Sequence, residues 1–256
     1  MSIFTKKPKL NISAVCNQGL VRDNNEDNFV LDSFYLPLIH SGCDIVSKQI
    51  GLSKSISFGV FDGMGGEKAG ELASYTACKS FVKRVDNKEL DEKKLQTLFV
   101  NINKEVYDKS VEEKISQIGT TASVMIVNKE EAYIVNVGDS PIFRLRDNKL
   151  ELLSNPHTNE QWLKDNDIKQ KAILTQFIGL DYSDMLIEPF VKKIDVKKDD
   201  LFLICSDGLT DMVKEEKIKD VVSEKIEVSE KVQKLLNVAI ENGGRDNITI
   251  ILAYVE

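Results

Sequence analysis

An apolar run that ends in one carboxylate and three glycines could bind a hard cation. The segment FGVFDGMGG, residues 58–66, places Asp62 before Gly63, Gly65 and Gly66. A buried strand that ends in an acid and continues as backbone without side chains can bring a carboxylate and a carbonyl oxygen close to one ion. Asp-Gly is also a common turn, so this segment alone could be an ordinary turn with no role in metal binding.

Further acidic clusters occur along the rest of the sequence. They are NNED at 24–27, GDS at 138–140, CSDG at 205–208 and GGRDN at 243–247. Carboxylates at strand ends, gathered from distant segments, predict one site assembled by folding. Oxygen ligands favour Mg²⁺ or Mn²⁺ over zinc, and a chain with two histidines has no histidine-rich site. Arg22, near the first cluster, adds a planar guanidinium that can bind phosphate through two hydrogen bonds. The pattern therefore points to phosphate-ester hydrolysis.

The bulk composition narrows the class of protein. The 256 residues are 42% hydrophobic and 29% charged, a composition that is typical of a globular protein. The formal net charge of −7 argues against a nucleic-acid partner and against a metal-dependent nuclease. The four cysteines lack metal-ligand spacing and read as core residues of a protein in a reducing compartment. No signal sequence or membrane helix is indicated, so we expect a cytoplasmic location without membrane association.

Periodicity predicts an α+β fold in a single domain over residues 1–256. Strands are predicted at 12–16, 57–61, 121–127, 132–137, 142–145, 186–191, 201–205 and 248–254. Helices are predicted at 67–85, 95–111 and 229–241. Strand runs separated by helix runs favour antiparallel sheets covered by helices. Residues 33–56 are expected to form a loop or hairpin excursion, and residues 154–173 a flap beside the site.

An ordered set of motifs resembles the metal-dependent protein phosphatases of type 2C, in their bacterial Ser/Thr branch. The motifs are RDNNED at 22–27, FDGMGGEKAGELAS at 61–74, GTT at 119–121, VGDS at 137–140, CSDGLTDMV at 205–213 and GGRDNIT at 243–249. The resemblance implies a four-layer αββα sandwich, two antiparallel sheets flanked by helices. It also implies hydrolysis of phosphoserine and phosphothreonine in proteins by a water activated by two Mn²⁺ or Mg²⁺ ions.

The resemblance also implies residue roles. Asp62 would bridge both ions and Gly63 would add its carbonyl oxygen; Asp207 and Asp246 would complete the first ion site. Glu26 and Asp27 would support the second ion, and Asp139 with Asp207 a third, weaker one. Arg22 would hold the substrate phosphate. We expect a monomer that acts on phosphorylated proteins and opposes a cognate Ser/Thr kinase.

Several residues depart from the family pattern. Pro141 follows Ser140 where bacterial members usually have arginine, and Pro156 replaces the acid expected before His157 and Thr158. The flap looks shorter than usual, and His157 is interpreted as a loop or flap residue, not an acid. Met64 stands where eukaryotic members place a histidine. These departures leave a catalytically silent binding module of the same fold as the alternative. Individual assignments also have structural alternatives, because Arg22 could be a surface ion pair and Asp139 could cap the turn from Gly138 to Ser140.

Overall fold

The computed structural model describes residues 8–65, 69–85, 90–115, 118–170 and 172–256. Gly66 and the start of the helix predicted at 67–85 lie outside these ranges. None of the helices within them is long and apolar enough to cross a membrane.

Two six-stranded antiparallel sheets form the centre of the fold. Sheet A contains β1 (Lys9–Asn17), β4 (Gly42–Gly51), β10 (Ile142–Arg146), β11 (Lys149–Leu152), β13 (Leu201–Cys205) and β14 (Ile248–Val255), in the order β11-β10-β13-β14-β1-β4. Sheet B contains β2 (Asn28–Leu31), β3 (Phe34–Tyr35), β5 (Ile56–Phe61), β8 (Ala122–Val127), β9 (Glu131–Val137) and β12 (Phe190–Asp195), in the order β12-β9-β8-β5-β2-β3. A short ribbon pairs β6 (Gly63–Met64) with β7 (Gly119–Thr120).

Helices cover the outer face of each sheet. The helices of the described residues are α1 (Gly70–Arg84), α2 (Glu92–Glu113), α3 (Glu160–Asp165), α4 (Asp207–Thr210), α5 (Glu215–Ser223) and α6 (Val228–Glu241), of which α3 lies in the 154–173 segment and the others form the two helical layers. One hydrophobic cluster joins α1 and α2 to sheet B, and another joins α4, α5 and α6 to sheet A. A third cluster lies between the sheets. The predicted αββα sandwich is therefore confirmed.

The sequence of β14, ITIILAYV, explains its central position in sheet A. Ile251 and Ala253 face the cluster between the sheets, whereas Ile250 and Leu252 face the helices. Successive side chains of a strand point to opposite faces, so an apolar β-branched run suits a strand that is covered on both sides.

Two local predictions differ from the structure. The loop or hairpin expected over 33–56 contains β4, a ten-residue strand that pairs with β1 at the edge of sheet A. An edge strand with many exposed side chains lacks the apolar alternation that reveals a strand. The strand expected at 186–191 begins only at Phe190, because the exposed Leu186 belongs to the preceding loop. The polar 154–173 segment contains the short helix α3.

Candidate metal centre

Five aspartates lie next to strand ends of both sheets. Asp62 follows β5, Asp27 precedes β2 and Asp139 follows β9 in sheet B, whereas Asp207 follows β13 and Asp246 precedes β14 in sheet A. Burial raises the pKa of Asp62 well above its ordinary value, and the charges of the other four aspartates raise it further. The fold thus brings the predicted acids into one electrostatic cluster.

The backbone around Asp62 is fixed by Thr121. The main-chain N–H of Thr121 donates to the carbonyl of Asp62 at 2.8 Å, and the N–H of Asp62 donates to Thr121 Oγ1 at 3.1 Å. Gly63 pairs with Thr120 in the short ribbon. A Cβ atom on Gly63 would lie 2.3 Å from the carbonyl oxygens of Glu26 and Gly70, so only glycine fits there.

Asp27 is buried and receives two hydroxyl hydrogen bonds. Ser206 Oγ donates to its Oδ2 atom at 2.8 Å, and Thr249 Oγ1 donates to the same atom at 2.7 Å. Burial raises the pKa of Asp27, and these hydrogen bonds oppose that shift by favouring the charged carboxylate. Ser206 and Thr249 therefore fix the orientation of a predicted ligand.

Glu26 is half-buried beside the aspartates. Burial raises its pKa from 4.5 to about 7, the charge of Glu71 adds to the shift, and Arg22 opposes it. Its carboxylate packs on Gly70, where a Cβ atom would lie 2.6 Å from Glu26 Cδ. Glu71 accepts a hydrogen bond from Asn24, and among the described residues its buried Oε2 atom has no hydrogen-bond partner. This corner of the site therefore carries an excess of negative charge.

Asn247 connects the loop of residues 18–26 to the segment before β14. Its Oδ1 atom accepts from the Glu26 N–H at 2.8 Å, and its Nδ2 atom donates to the carbonyls of Gln18 and Asn24 at 2.9 Å each. The loop that carries Arg22, Glu26 and Asp27 is thereby held against Asp246.

Asp139 and Asp207 form the other side of the cluster. Burial raises the pKa of Asp207, and the charge of Asp139 is the next largest cause. Asp207 begins α4, and a Cβ atom on the following Gly208 would lie 1.9 Å from the Asn247 carbonyl oxygen. The chain therefore needs glycine there to bring Asp207 against the segment of Asp246.

Arg22 lies at the edge of the site as an ion pair. Its Nη2 atom is 2.7 Å from Asp246 Oδ2, and both side chains are partly exposed. The hydrogen bond with Asp246 raises the pKa of Arg22, and the charges of Glu26 and Asp62 act in the same direction. Arg22 thus forms a partly exposed ion pair, as the alternative interpretation states. Its partner Asp246, however, is itself a predicted metal ligand.

The donor set fits hard divalent cations. The acids that surround Asp62 supply oxygen atoms only, and their mutual repulsion would be relieved by positive charge. Within the described ranges, however, no three carboxylate, imidazole or thiol groups already stand where they could hold an ion. Asp246 accepts a hydrogen bond from Arg22, so this carboxylate has to leave Arg22 before it can bind an ion.

The sequence patterns do not reveal three side chains that position the acids. These are Ser206, Asn247 and Thr249, which lie inside the motifs CSDG and GGRDNIT, whereas those motifs predict a role only for their aspartates. Cys205 beside them is buried, and burial raises the pKa of its thiol, as is typical of a structural core cysteine.

Comparisons with known proteins point the same way as the geometry. Residues 45–242 match the family model described as protein phosphatase 2C. The serine/threonine phosphatase stp of Listeria welshimeri is 32% identical over 210 residues, which cover 75% of this chain and 82% of that protein. Protein phosphatase PhpP of Streptococcus pneumoniae is 30% identical over 205 residues, covering 75% and 82% respectively.

Solved structures extend the similarity over nearly all of the sequence. The serine/threonine phosphatase of S. agalactiae has a TM-score of 0.81 and 26% identity, and the match covers 96% of this chain and all of that one, 100%. The catalytic domain of the phosphatase PstP, solved with two manganese ions, has a TM-score of 0.76 and 26% identity over 97% of this chain and 99% of that one.

Proposed function

The chain belongs to the protein phosphatase 2C family, and from that premise we propose that it hydrolyses phosphoserine and phosphothreonine in proteins by a dinuclear mechanism. Members of this family are metal-dependent phosphatases, so the chain is an enzyme of that class. The cluster of five aspartates from both sheets around Asp62, with Arg22 at its edge, is the observation that supports the reaction.

The residues would form two main ion sites, a third and weaker ion site, and a phosphate site. Asp62, the carbonyl of Gly63, Asp207 and Asp246 would hold the first ion. Asp62 with Glu26 and Asp27, directly or through water, would hold the second. Asp139 with Asp207 would hold a third, weaker ion. Arg22 would bind the phosphate.

Two divalent cations bound there would lower the pKa of a shared water and neutralise charge on the phosphoryl group. The side chains around the ions would then bind and orient the substrate. Arg22 would exchange its partner Asp246 for two phosphate oxygens, because a guanidinium binds phosphate through two parallel hydrogen bonds. The hydroxyls of Ser206 and Thr249 would keep the Asp27 carboxylate in one orientation.

The cofactor and the cellular setting follow from the same proposal. The ions would be Mn²⁺ or Mg²⁺, and the two manganese ions of the PstP structure support this. Bacterial phosphatases among the relatives support a role opposite a bacterial Ser/Thr kinase. We also propose that the protein acts as a cytoplasmic monomer on phosphorylated proteins.

The direct test is hydrolysis of an aryl phosphate and of a phosphothreonine peptide with Mn²⁺. We expect Mn²⁺-dependent turnover, loss of it in EDTA, and a fall of several orders of magnitude in Asp62→Asn. Asp220→Asn, the same chemical change on the exposed face of α5, is the matched control and should retain the wild-type rate.

Undiminished turnover in EDTA or in Asp62→Asn would contradict the metal mechanism. The catalytically silent alternative predicts no turnover and no Mn²⁺ binding by calorimetry. The departures at Pro141 and Pro156 are the only features in its favour, and every carboxylate of the predicted ligand set is present.

A further inference from the structure

The turn of residues 138–140 is held rigidly from the side of the sheet. Gly138 has a φ of +100°, and a Cβ atom on it would lie 2.7 Å from Thr121 Cγ2. The hydroxyls of Ser140 and Thr121 share a hydrogen bond of 2.7 Å, and Ser123 Oγ donates to the Ser140 carbonyl. Asp139 is the central residue of this turn, and its charge acts on both Asp62 and Asp207.

His157 holds the same turn from the opposite side. Its main-chain N–H donates to the Gly138 carbonyl at 2.9 Å, and its Nδ1 atom accepts from the Gly138 N–H at 3.1 Å. One residue thus pairs both backbone polar groups of Gly138. Because Nδ1 accepts, the proton of a neutral imidazole must lie on Nε2.

His157 also closes the base of the flap. Its carbonyl accepts from the N–H of Thr175 at 2.9 Å, and the adjacent Thr158 bridges to Leu174. The hydrogen bonds of His157 therefore run continuously from the base of this segment to the backbone beside Asp139.

We propose that His157 is a positioning residue that fixes the Gly138 backbone through Nδ1 and thereby holds Asp139 toward Asp62 and Asp207. The inference deepens the proposed phosphatase function and rests on it. It gives His157 a role that needs no contact with the substrate and no proton transfer from Nε2.

Two amide variants separate this role from direct chemistry. In His157→Asn the Oδ1 atom takes the place of Nδ1 and can accept from the Gly138 N–H. In His157→Gln the amide reaches the place of Nε2, and the acceptor for Gly138 is lost. A positioning role therefore predicts rescue by Asn and loss in Gln, whereas an acid role through Nε2 predicts no rescue by Asn.

The first readout is hydrogen exchange of the Gly138 amide in the metal-free protein, which does not depend on activity. We expect exchange about 10-fold faster in His157→Gln and within about threefold of wild type in His157→Asn. The second is the Mn²⁺ concentration for half-maximal activity, which we expect to rise about 10-fold in His157→Gln only. His157→Ala, which removes the acceptor without added bulk, repeats both measurements should the Gln variant fail to fold.

A double variant tests the link to Asp139. The change His157→Gln should cost little further activity in an Asp139→Asn background, because the residue acts through Asp139. Unchanged Gly138 exchange in His157→Gln, equal losses in the Asn and Gln variants, or full additivity with Asp139→Asn would overturn the proposal. A wild-type protein without Mn²⁺-dependent hydrolysis would instead contradict the phosphatase function, and the exchange data would still decide whether His157 holds the turn.

Discussion

Replacing Glu26 by Gln should stabilise the metal-free protein at alkaline pH. The ionised carboxylate is unfavourable in the fold, since burial and the charge of Glu71 raise its pKa to about 7 from 4.5. For a fully shielded group this difference corresponds to ~3 kcal/mol. Solvent screening of a half-exposed side chain reduces the stabilisation that we expect to about 1–2 kcal/mol.

The pH dependence has a defined sign. The folded state binds the Glu26 proton more tightly than the unfolded state does, so stability is lost as pH rises from about 4.5 through about 7. The Gln variant lacks this loss. The difference between the two proteins should therefore be largest at pH 8 and small at pH 5.

Thermal unfolding in EDTA at both pH values measures the effect. A gain of 1–2 kcal/mol should raise Tm by about 3–6 °C at pH 8 for a protein of this size. Glu216→Gln on the exposed side of α5 is the matched control and should shift Tm by less than about 1 °C. With saturating Mn²⁺ the order should reverse, because in the proposed site Glu26 supports the second ion. A Gln variant less stable than wild type in EDTA at pH 8 would refute the reasoning.

Three further substitutions test other parts of the structure. Arg22→Lys keeps the charge but loses the planar guanidinium. Steady-state kinetics should therefore show a KM for a phosphopeptide about 10-fold higher, with a smaller change in kcat. The exposed control variant Arg245→Lys should match wild type. Gly63→Ala places a Cβ atom 2.3 Å from two carbonyl oxygens, so urea titrations should show a free energy of unfolding lower by about 2 kcal/mol or more. The control Gly51→Ala has no atom within 4 Å of the new Cβ and should leave the free energy of unfolding unchanged. Asp200→Asn weakens a pair in which both carboxylate oxygens of the fully buried Asp200 bind the partly buried Arg146, and it should cost about 3 kcal/mol. The exposed partner variant Asp195→Asn should cost less than about 1 kcal/mol. A neutral Arg22→Lys, a stable Gly63→Ala or equal losses at Asp195 and Asp200 would contradict the respective contact.

The strongest elements of the fold could be predicted because their sequence pattern is local. The apolar, β-branched run of β14 matches its two buried faces. The helical spacing of Leu98, Ile102 and Val106 matches α2, in which Ile102 and Val106 are buried and Leu98 is partly buried against the same cluster. By contrast β4 has one exposed edge and mixed side chains, and α5 has only three buried residues among nine. Such elements are specified by tertiary contacts more than by their own periodicity.

The acids of the site could be predicted, but the groups that hold them could not. Ser206 donates to a carboxylate 179 positions away in the sequence, and Thr249 donates to the same atom from 222 positions away. Neither hydroxyl differs in type or local spacing from a surface serine or threonine. Only the pairing of β14 with β1 and β13 brings them to Asp27.

The central position of β14 has a consequence for biosynthesis. Sheet A cannot close between β1 and β13 until residues 248–255 have been translated, since β14 pairs with both. Until then β1 lacks this partner while residues 18–247 are made, which exposes the nascent chain to misfolding and to chaperones. Pairing over so long a sequence separation also slows refolding. Because Asp246 lies two residues before the same strand, activity should appear only after residues 246–255 have left the ribosome.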